Sequence, residues 1–218
     1  MTKIKGILKL DKIHAGGVLI VPDNFIWLKA PRTGGSSMLY GVIQPYFKST
    51  IIHHQKWNRE QYRPYLDGLD NNNIERKFMF TFVRNPWERL LSLYFWTKIS
   101  PSFWSCRHKI VQSFTQFVYD LESMQRKEAA IREHSTPLSS YAYFNGVQFV
   151  DFIGRFENLQ EDFNVICDKI GIPQQKLPQI NKSKHKHYTE YYDDETKQIV
   201  AEKFAKDIEY FGYKFGER

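Results

Sequence analysis

Cysteine is scarce: Cys106 and Cys167 stand far apart in a chain of 218 residues, with no Cys-x-x-Cys spacing. Neither a disulfide framework nor a metal site is indicated by that spacing, and reduced, buried thiols are expected. No apolar run is long enough to span a bilayer, and no secretory hydrophobic segment is present. The nucleoside-triphosphatase signature Gly-x-x-x-x-Gly-Lys-Ser/Thr is missing, as is the dinucleotide signature Gly-x-Gly-x-x-Gly. Repeats and low-complexity tracts are absent too, so residues 1–218 read as one domain with room for a sizeable core. Acidic residues are in deficit, 24 against 31 Lys and Arg, for a net charge of +7. That balance attracts anions: nucleotides, acidic glycans, nucleic acid or a membrane surface. Charge alone does not choose among them.

What is present is organised around Phe25-Ile26-Trp27-Leu28-Lys29-Ala30-Pro31-Arg32-Thr33-Gly34-Gly35-Ser36-Ser37. A short apolar run of strand type meets a Gly-Gly pair flanked by hydroxyls, and a helical pattern opens at Met38. Strand, small-residue turn and helix aim free backbone N–H groups and the positive end of a helix dipole at an anion. Gly34 and Gly35 allow close approach of a phosphate, Thr33, Ser36 and Ser37 offer hydroxyls, and Arg32 adds a forked cation. A tight turn with a serine N-cap uses the same residues, so both readings stand at this point.

Elsewhere, residues 1–24, broken by Ala15-Gly16-Gly17 before Val18-Leu19-Ile20-Val21-Pro22, read as an N-terminal arm or an extra strand. The helix after the turn should end before Pro45. Phe78–Val83 fits a strand buried on both faces, and residues 151–156 a third strand. Ser113-x-x-Gln116 opens a helix over 113–132, with Phe114, Phe117, Val118 and Leu121 facing the core. Residues 133–148 read as a loop. Asn158–Ile170 is helical, and a last helix is capped near Asp193 and ends at Gly212. Strands alternating with helices imply a central, mainly parallel sheet with helices on its faces. A second anion site follows Phe78–Val83: Asn85 is a good N-cap, Pro86 suits the first helical position, and Glu88 would close a capping box. Arg84 then sits at a strand's carboxyl end, and Arg89 and Ser92, three apart, share a helix face. Arginines paired with carboxylates are the competing reading.

These motifs together resemble a known family. Lys-x-Pro-Arg-Thr-Gly-Gly-Ser-Ser after a strand, then Phe-Val-Arg-Asn-Pro-Trp-Glu-Arg-Leu-x-Ser-x-Tyr, are similar to the carbohydrate sulfotransferases that use 3′-phosphoadenosine 5′-phosphosulfate (PAPS). So are the stretch 153–163 and the tail from Leu177-Pro178 to Gly212-Tyr213. The resemblance implies a P-loop-like three-layer α/β domain that moves a sulfuryl group from PAPS to a carbohydrate hydroxyl, releasing 3′,5′-ADP without a metal. It implies that residues 32–37 cradle the 5′-phosphosulfate, and that Arg84 with Ser92, joined by Arg89, hold the 3′-phosphate. Arg32 stands where the family often has Lys. It is the expected leaving-group stabiliser, with Lys29 in reserve.

Relatives often carry a histidine base between the two motifs, which points to His54, with His53 the rival and Glu60 the carboxylate fallback. His134, His185 and His187 either touch substrate or sit in solvated loops. Loop 182–187 either closes over the nucleotide, guides an acidic oligo- or polysaccharide, or is a solvated charge run. Trp57, Trp96, Trp104 and Tyr141 are candidates to stack on sugars or to fill the core. No nucleic acid partner is expected. The short, anchor-free chain suits the bacterial cytoplasm, with a membrane surface the alternative. The competing classes are a non-catalytic nucleotide- or RNA-binding module and, disfavoured by its missing loop, a kinase.

Overall fold

A computed structural model describes residues 18–21, 25–47, 50–53, 77–99, 113–180 and 185–217. The expectations for residues 1–17, His54, Trp57, Glu60, Trp104, Cys106 and loop positions 182–184 lie outside the described residues. The fold is mixed α/β. Five strands form one sheet in the order β3-β1-β2-β4-β7, with β1 Val18–Val21, β2 Phe25–Lys29, β3 Thr50–His53, β4 Phe78–Val83 and β7 Phe152–Arg155. β2, β4 and β7 are mutually parallel; β1 runs antiparallel to both β2 and β3, so β3 points the same way as the parallel strands. The alternative of an extra strand is thus realised at Val18–Val21. Strand β3 is not among the strands expected from the sequence.

Strand periodicity divides the apolar residues between two faces. Phe25, Trp27, Phe80 and Phe82 face one core, built with α1 Gly35–Met38, the π-type turn Leu39–Ile43 and α6 Leu159–Ile170. The Trp27 and Phe80 rings stack there at 5.7 Å. Ile26, Leu28, Met79 and Val83 face the other core, against α3 Pro86–Ile99, α4 Phe114–Lys127 and α7 Asp194–Lys203. Helices therefore cover both faces, and every parallel strand delivers its carboxyl end to one edge of the sheet. Among the described residues no helix is long and apolar enough to cross a membrane. Cys167 is a free, buried thiol, as expected.

Local chemistry departs from the sequence reading in several places. The first helix does not stop before Pro45. The π-type turn resets the hydrogen-bond register, so Pro45 falls in the first turn of α2 Gln44–Tyr46, where a missing N–H costs nothing. Ser113 caps α4 by accepting the Gln116 amide at 3.2 Å, but Gln116 reaches Asp120 instead of closing the box. That helix breaks at Glu128, and α5 Ala129–His134 is separate. The expected loop 133–148 contains a hairpin, β5 Tyr143–Phe144 and β6 Val147–Gln148, turned by Asn145 and Gly146, both at positive φ. The last helix divides at Phe204 into α7 and α8 Ala205–Phe211, and it ends at left-handed Gly212.

At Gly154 the requirement for glycine is one of space. Gly154 lies beside Phe82 across the β4–β7 ladder, where an added Cβ would come 2.3 Å from the ring of that fully buried phenylalanine. Gly154→Ala is expected to destabilise the fold by about 1–3 kcal/mol through overpacking. In urea, a lower unfolding midpoint with an unchanged slope would show it.

Candidate active site

β2 ends at Lys29, and a turn follows in which the Thr33 hydroxyl donates to the Ala30 carbonyl at 2.9 Å. Thr33 is buried in that bond, so its hydroxyl closes the turn instead of reaching outward. Gly34 takes φ 80°, a left-handed conformation that glycine adopts without steric cost. Its carbonyl accepts the Ser37 and Met38 amides at 3.0 and 3.4 Å. The amides of Gly35 and Ser36 make no hydrogen bond among the described residues, and both residues line a cleft of about 1610 Å³. This is the arrangement expected of an anion cradle. Ser37 Oγ accepts the Ile180 amide at 3.2 Å, which ties the segment 174–180 down as one wall. Gln160 pins the same wall by donating to Gln175 O and accepting from Leu177 N, at 2.9 and 2.8 Å.

Arg32 joins the two motifs. Its Nη2 donates to Ser92 Oγ at 2.7 Å and to Ser92 O at 3.1 Å, across sixty residues of sequence. Its backbone sits at φ 65°, a region that costs a non-glycine residue on the order of 1–2 kcal/mol. Arg84 Nη1 holds that conformation by donating to Arg32 O at 3.2 Å. Arg84 is itself fixed by a salt bridge to Glu88 at 3.2 Å and by the Phe156 ring, 3.8 Å below its guanidinium. Lys29, Arg32, Arg84, Ser92 and the turn 34–37 all line the cleft.

Around Lys29 and Arg32 the charge is positive, while Glu88 pairs with Arg84 on the same cleft wall. Burial, and then the Arg32 cation, lowers the Lys29 pKa to about 8. Burial, and then Arg84 and Arg89, lowers the Arg32 pKa; the guanidinium remains a cation at neutral pH. Arg32 Nε is buried with no hydrogen-bond partner among the described residues. Cations held at a cost and left with orphaned donors fit an anionic ligand.

Arg89 goes elsewhere. It is buried, donates to the carbonyls of His134 and Thr136 at 2.9 and 2.6 Å, and lies 3.9 Å from Asp207. It does not line the cleft, and it touches the site only through its charge. Glu88 does not close the capping box either, because Arg84 draws its carboxylate away. Glu157, from the end of β7, accepts the Asn85 amide at 2.7 Å in its place. Asn85 Oδ1 still caps α3 through the Trp87 amide at 3.1 Å. Sequence reasoning quoted the stretch around Glu157 without giving that residue a role. Tyr188 was missed as well: its buried hydroxyl meets Asn85 Nδ2, the Gly216 amide and the Glu217 carbonyl.

The histidines separate by place. His53 ends β3, and its backbone shares a cross-strand row with Val18 and Lys29, at the sheet edge that carries the cleft. His185 and His187 line the cleft. His134 is in no solvated loop. Burial pushes its pKa down to about 3, and it stacks on Trp96 at 4.1 Å, behind Arg32. Tyr141 is a core residue. Among the described residues no group of His, Cys, Asp and Glu is placed to hold a metal ion.

The buried Arg89–Asp207 pair yields a stability test. Asp207 also accepts the Leu138 and Ser139 amides at 2.8 and 2.7 Å. Asp207→Ala therefore strands a buried cation and two amides, and should cost about 3–5 kcal/mol. Urea unfolding of the variant measures it.

Comparison with known proteins places this geometry. An uncharacterized protein of Archaeoglobus fulgidus is 30% identical over 111 residues, which is 50% of this chain and 81% of that protein. No solved structure matches. The model of the sulfotransferase family matches residues 37–214, a span that begins within the cradle and includes Arg84, Arg89, Ser92 and the tail. A match over most of the chain, with the described cleft formed chiefly by residues inside it, leads to one conclusion: the chain belongs to the sulfotransferase family.

Proposed function

We propose that the chain transfers a sulfuryl group from PAPS to a hydroxyl of a carbohydrate, in a P-loop-like three-layer domain. One observation carries the reading: Lys29, Arg32 and Arg84 converge at the carboxyl ends of two parallel strands with amides that have no partner among the described residues. That is where open α/β sheets bind ligands. PAPS is an anion at both ends, and the site offers cations and donors at two neighbouring places. The turn 32–37 receives the 5′-phosphosulfate end, and Arg84 with Ser92 receives the 3′-phosphate.

In the transfer, an O–S bond forms to the acceptor hydroxyl as the bond from sulfur to the bridging oxygen breaks. The electron pair stays on the phosphate, which leaves as 3′,5′-ADP, and the hydroxyl proton goes to a base. Positioning and positive charge at the leaving oxygen supply the catalysis, as in phosphoryl transfer. His54 is the proposed base, with His53 the rival, and the position of His53 at the sheet's carboxyl edge supports either. His185 and Lys186 on the cleft wall suit an acidic oligo- or polysaccharide. The free thiol of Cys167 agrees with a cytoplasmic location.

Thermal unfolding with 3′,5′-ADP, AMP, 5′-ADP and ATP tests the donor site. Ligand at a hundred times its dissociation constant should add about 2.7 kcal/mol. The resulting rise of a few degrees should be seen with 3′,5′-ADP and lost in Arg84→Ala. A rise with ATP instead points to a kinase, and no rise with any nucleotide removes the PAPS reading. His54→Ala should retain 3′,5′-ADP binding and lose sulfation of a carbohydrate panel by about a hundredfold or more. Unchanged sulfation in both His54→Ala and His53→Ala would remove the histidine base.

A further inference from the structure

The two cations nearest the cradle, Lys29 and Arg32, are held in opposite ways. Arg32 is anchored. One of its terminal nitrogens is shared between the hydroxyl and the carbonyl of Ser92, its own carbonyl is held by Arg84, and Trp96 lies 5.6 Å from its guanidinium. The side chain thus leaves the turn in which its backbone sits and joins the helix of the second motif. A guanidinium so fixed cannot follow an oxygen that changes charge at the other end of the ligand.

Lys29 is free. It is the last residue of β2, and it has no hydrogen-bond or ion-pair partner among the described residues. Its stem crosses directly over the cradle: a Cβ on Gly35 would come 2.7 Å from Lys29 Cε and 2.9 Å from Cγ. The absence of a side chain at position 35 therefore makes a passage that lets the lysine run above the two unpartnered amides.

We infer that Lys29 is the cation facing the 5′-phosphate end of the nucleotide, and that the Arg32 side chain serves the 3′-phosphate together with Ser92. The inference rests on the PAPS reading and deepens it. In turnover, the Lys29 ammonium keeps its proton and stabilises the oxygen that retains the electron pair of the broken S–O bond.

The division predicts a pH effect of definite sign. The charged groups facing Lys29 are Arg32 from the turn, which lowers its pKa, and His134 from α5, which stays uncharged in this range. The first turn of α1 brings no titratable side chain. In the unliganded protein the ammonium loses its proton as pH rises through about 8. A 5′-phosphate is already doubly ionised there, so the part of affinity due to it should fall above that pH.

Calorimetric titration of the full chain with 3′,5′-ADP, 3′-AMP and 5′-AMP tests the inference without an acceptor. Lys29→Met should weaken 3′,5′-ADP and 5′-AMP by about tenfold or more, and leave 3′-AMP within about twofold. Arg32→Met and Ser92→Ala should weaken 3′-AMP and 3′,5′-ADP and spare 5′-AMP. The preference of the wild type for 3′,5′-ADP over 3′-AMP should decline above pH 8, and Lys29→Met should lack that decline. Lys29→Gln, with circular dichroism, guards against a folding defect. The inference is overturned if Arg32→Met selects against the 5′-phosphate while Lys29→Met is neutral, or if both weaken all three ligands alike. Wild-type protein that binds none of the three nucleotides would instead sink the PAPS reading itself.

Discussion

The cleft depends on the parallel pairing of β2 with β4. Leu28 stands opposite Thr81 in that ladder, and the buried Thr81 hydroxyl donates to the Leu28 carbonyl at 2.8 Å. Because the two strands run together in this register, they end together. The residues that follow them, Lys29 to Ser37 and Arg84 to Ser92, are delivered to one edge. A one-residue slip would turn Phe80 and Phe82 to the opposite face, so two aromatic cores hold the register. Arg32 can reach Ser92 only because this alignment is fixed elsewhere.

At that edge the molecule accepts arrangements that a structure selected for stability alone would avoid. Arg32 takes a left-handed backbone conformation and buries a guanidinium beside other cations. Lys29 is half-buried beside the Arg32 cation, with no carboxylate paired to it among the described residues. Such costs persist where surrounding structure over-determines them, and they gather at functional sites. The determinants are visible: Glu88 and Phe156 fix Arg84, Arg84 fixes the Arg32 carbonyl, and Glu157 holds the start of the helix that presents Ser92. The family assignment gives this corner a reason to exist, since an anionic ligand offsets what the cations cost.

The same comparison explains the unevenness of the sequence reading. Motifs whose chemistry is local read well. Phe78–Val83 emerged with its observed bounds, and a strand was read before the Gly-Gly turn, because a buried strand needs only a continuous apolar run. Asn85 was legible as a cap because a cap acts on residues two and three ahead of it. Asn145-Gly146 carried a hairpin signal that was passed over, since the flanking strands are only two residues long. Arg89 misled for a physical reason. Spacing of three on a helix places two residues on a common face, but a long arginine can turn its head to carbonyls behind that face, as Arg89 does at His134 and Thr136.

By itself the sequence determined the alternation of strands and helices, the cradle and its cations, the capped helix after Arg84, and the family resemblance. Each of these depends on neighbours along the chain or on residue types at fixed spacing. Only the tertiary structure decided which carboxylate met which donor: Glu88 to Arg84, Glu157 to Asn85, Asp207 to the turn at Leu138. It also decided that Arg32 leans on Ser92 while Lys29 passes over Gly35. Those pairings span dozens of residues, and their partners come within reach only when the sheet has set the strand ends side by side.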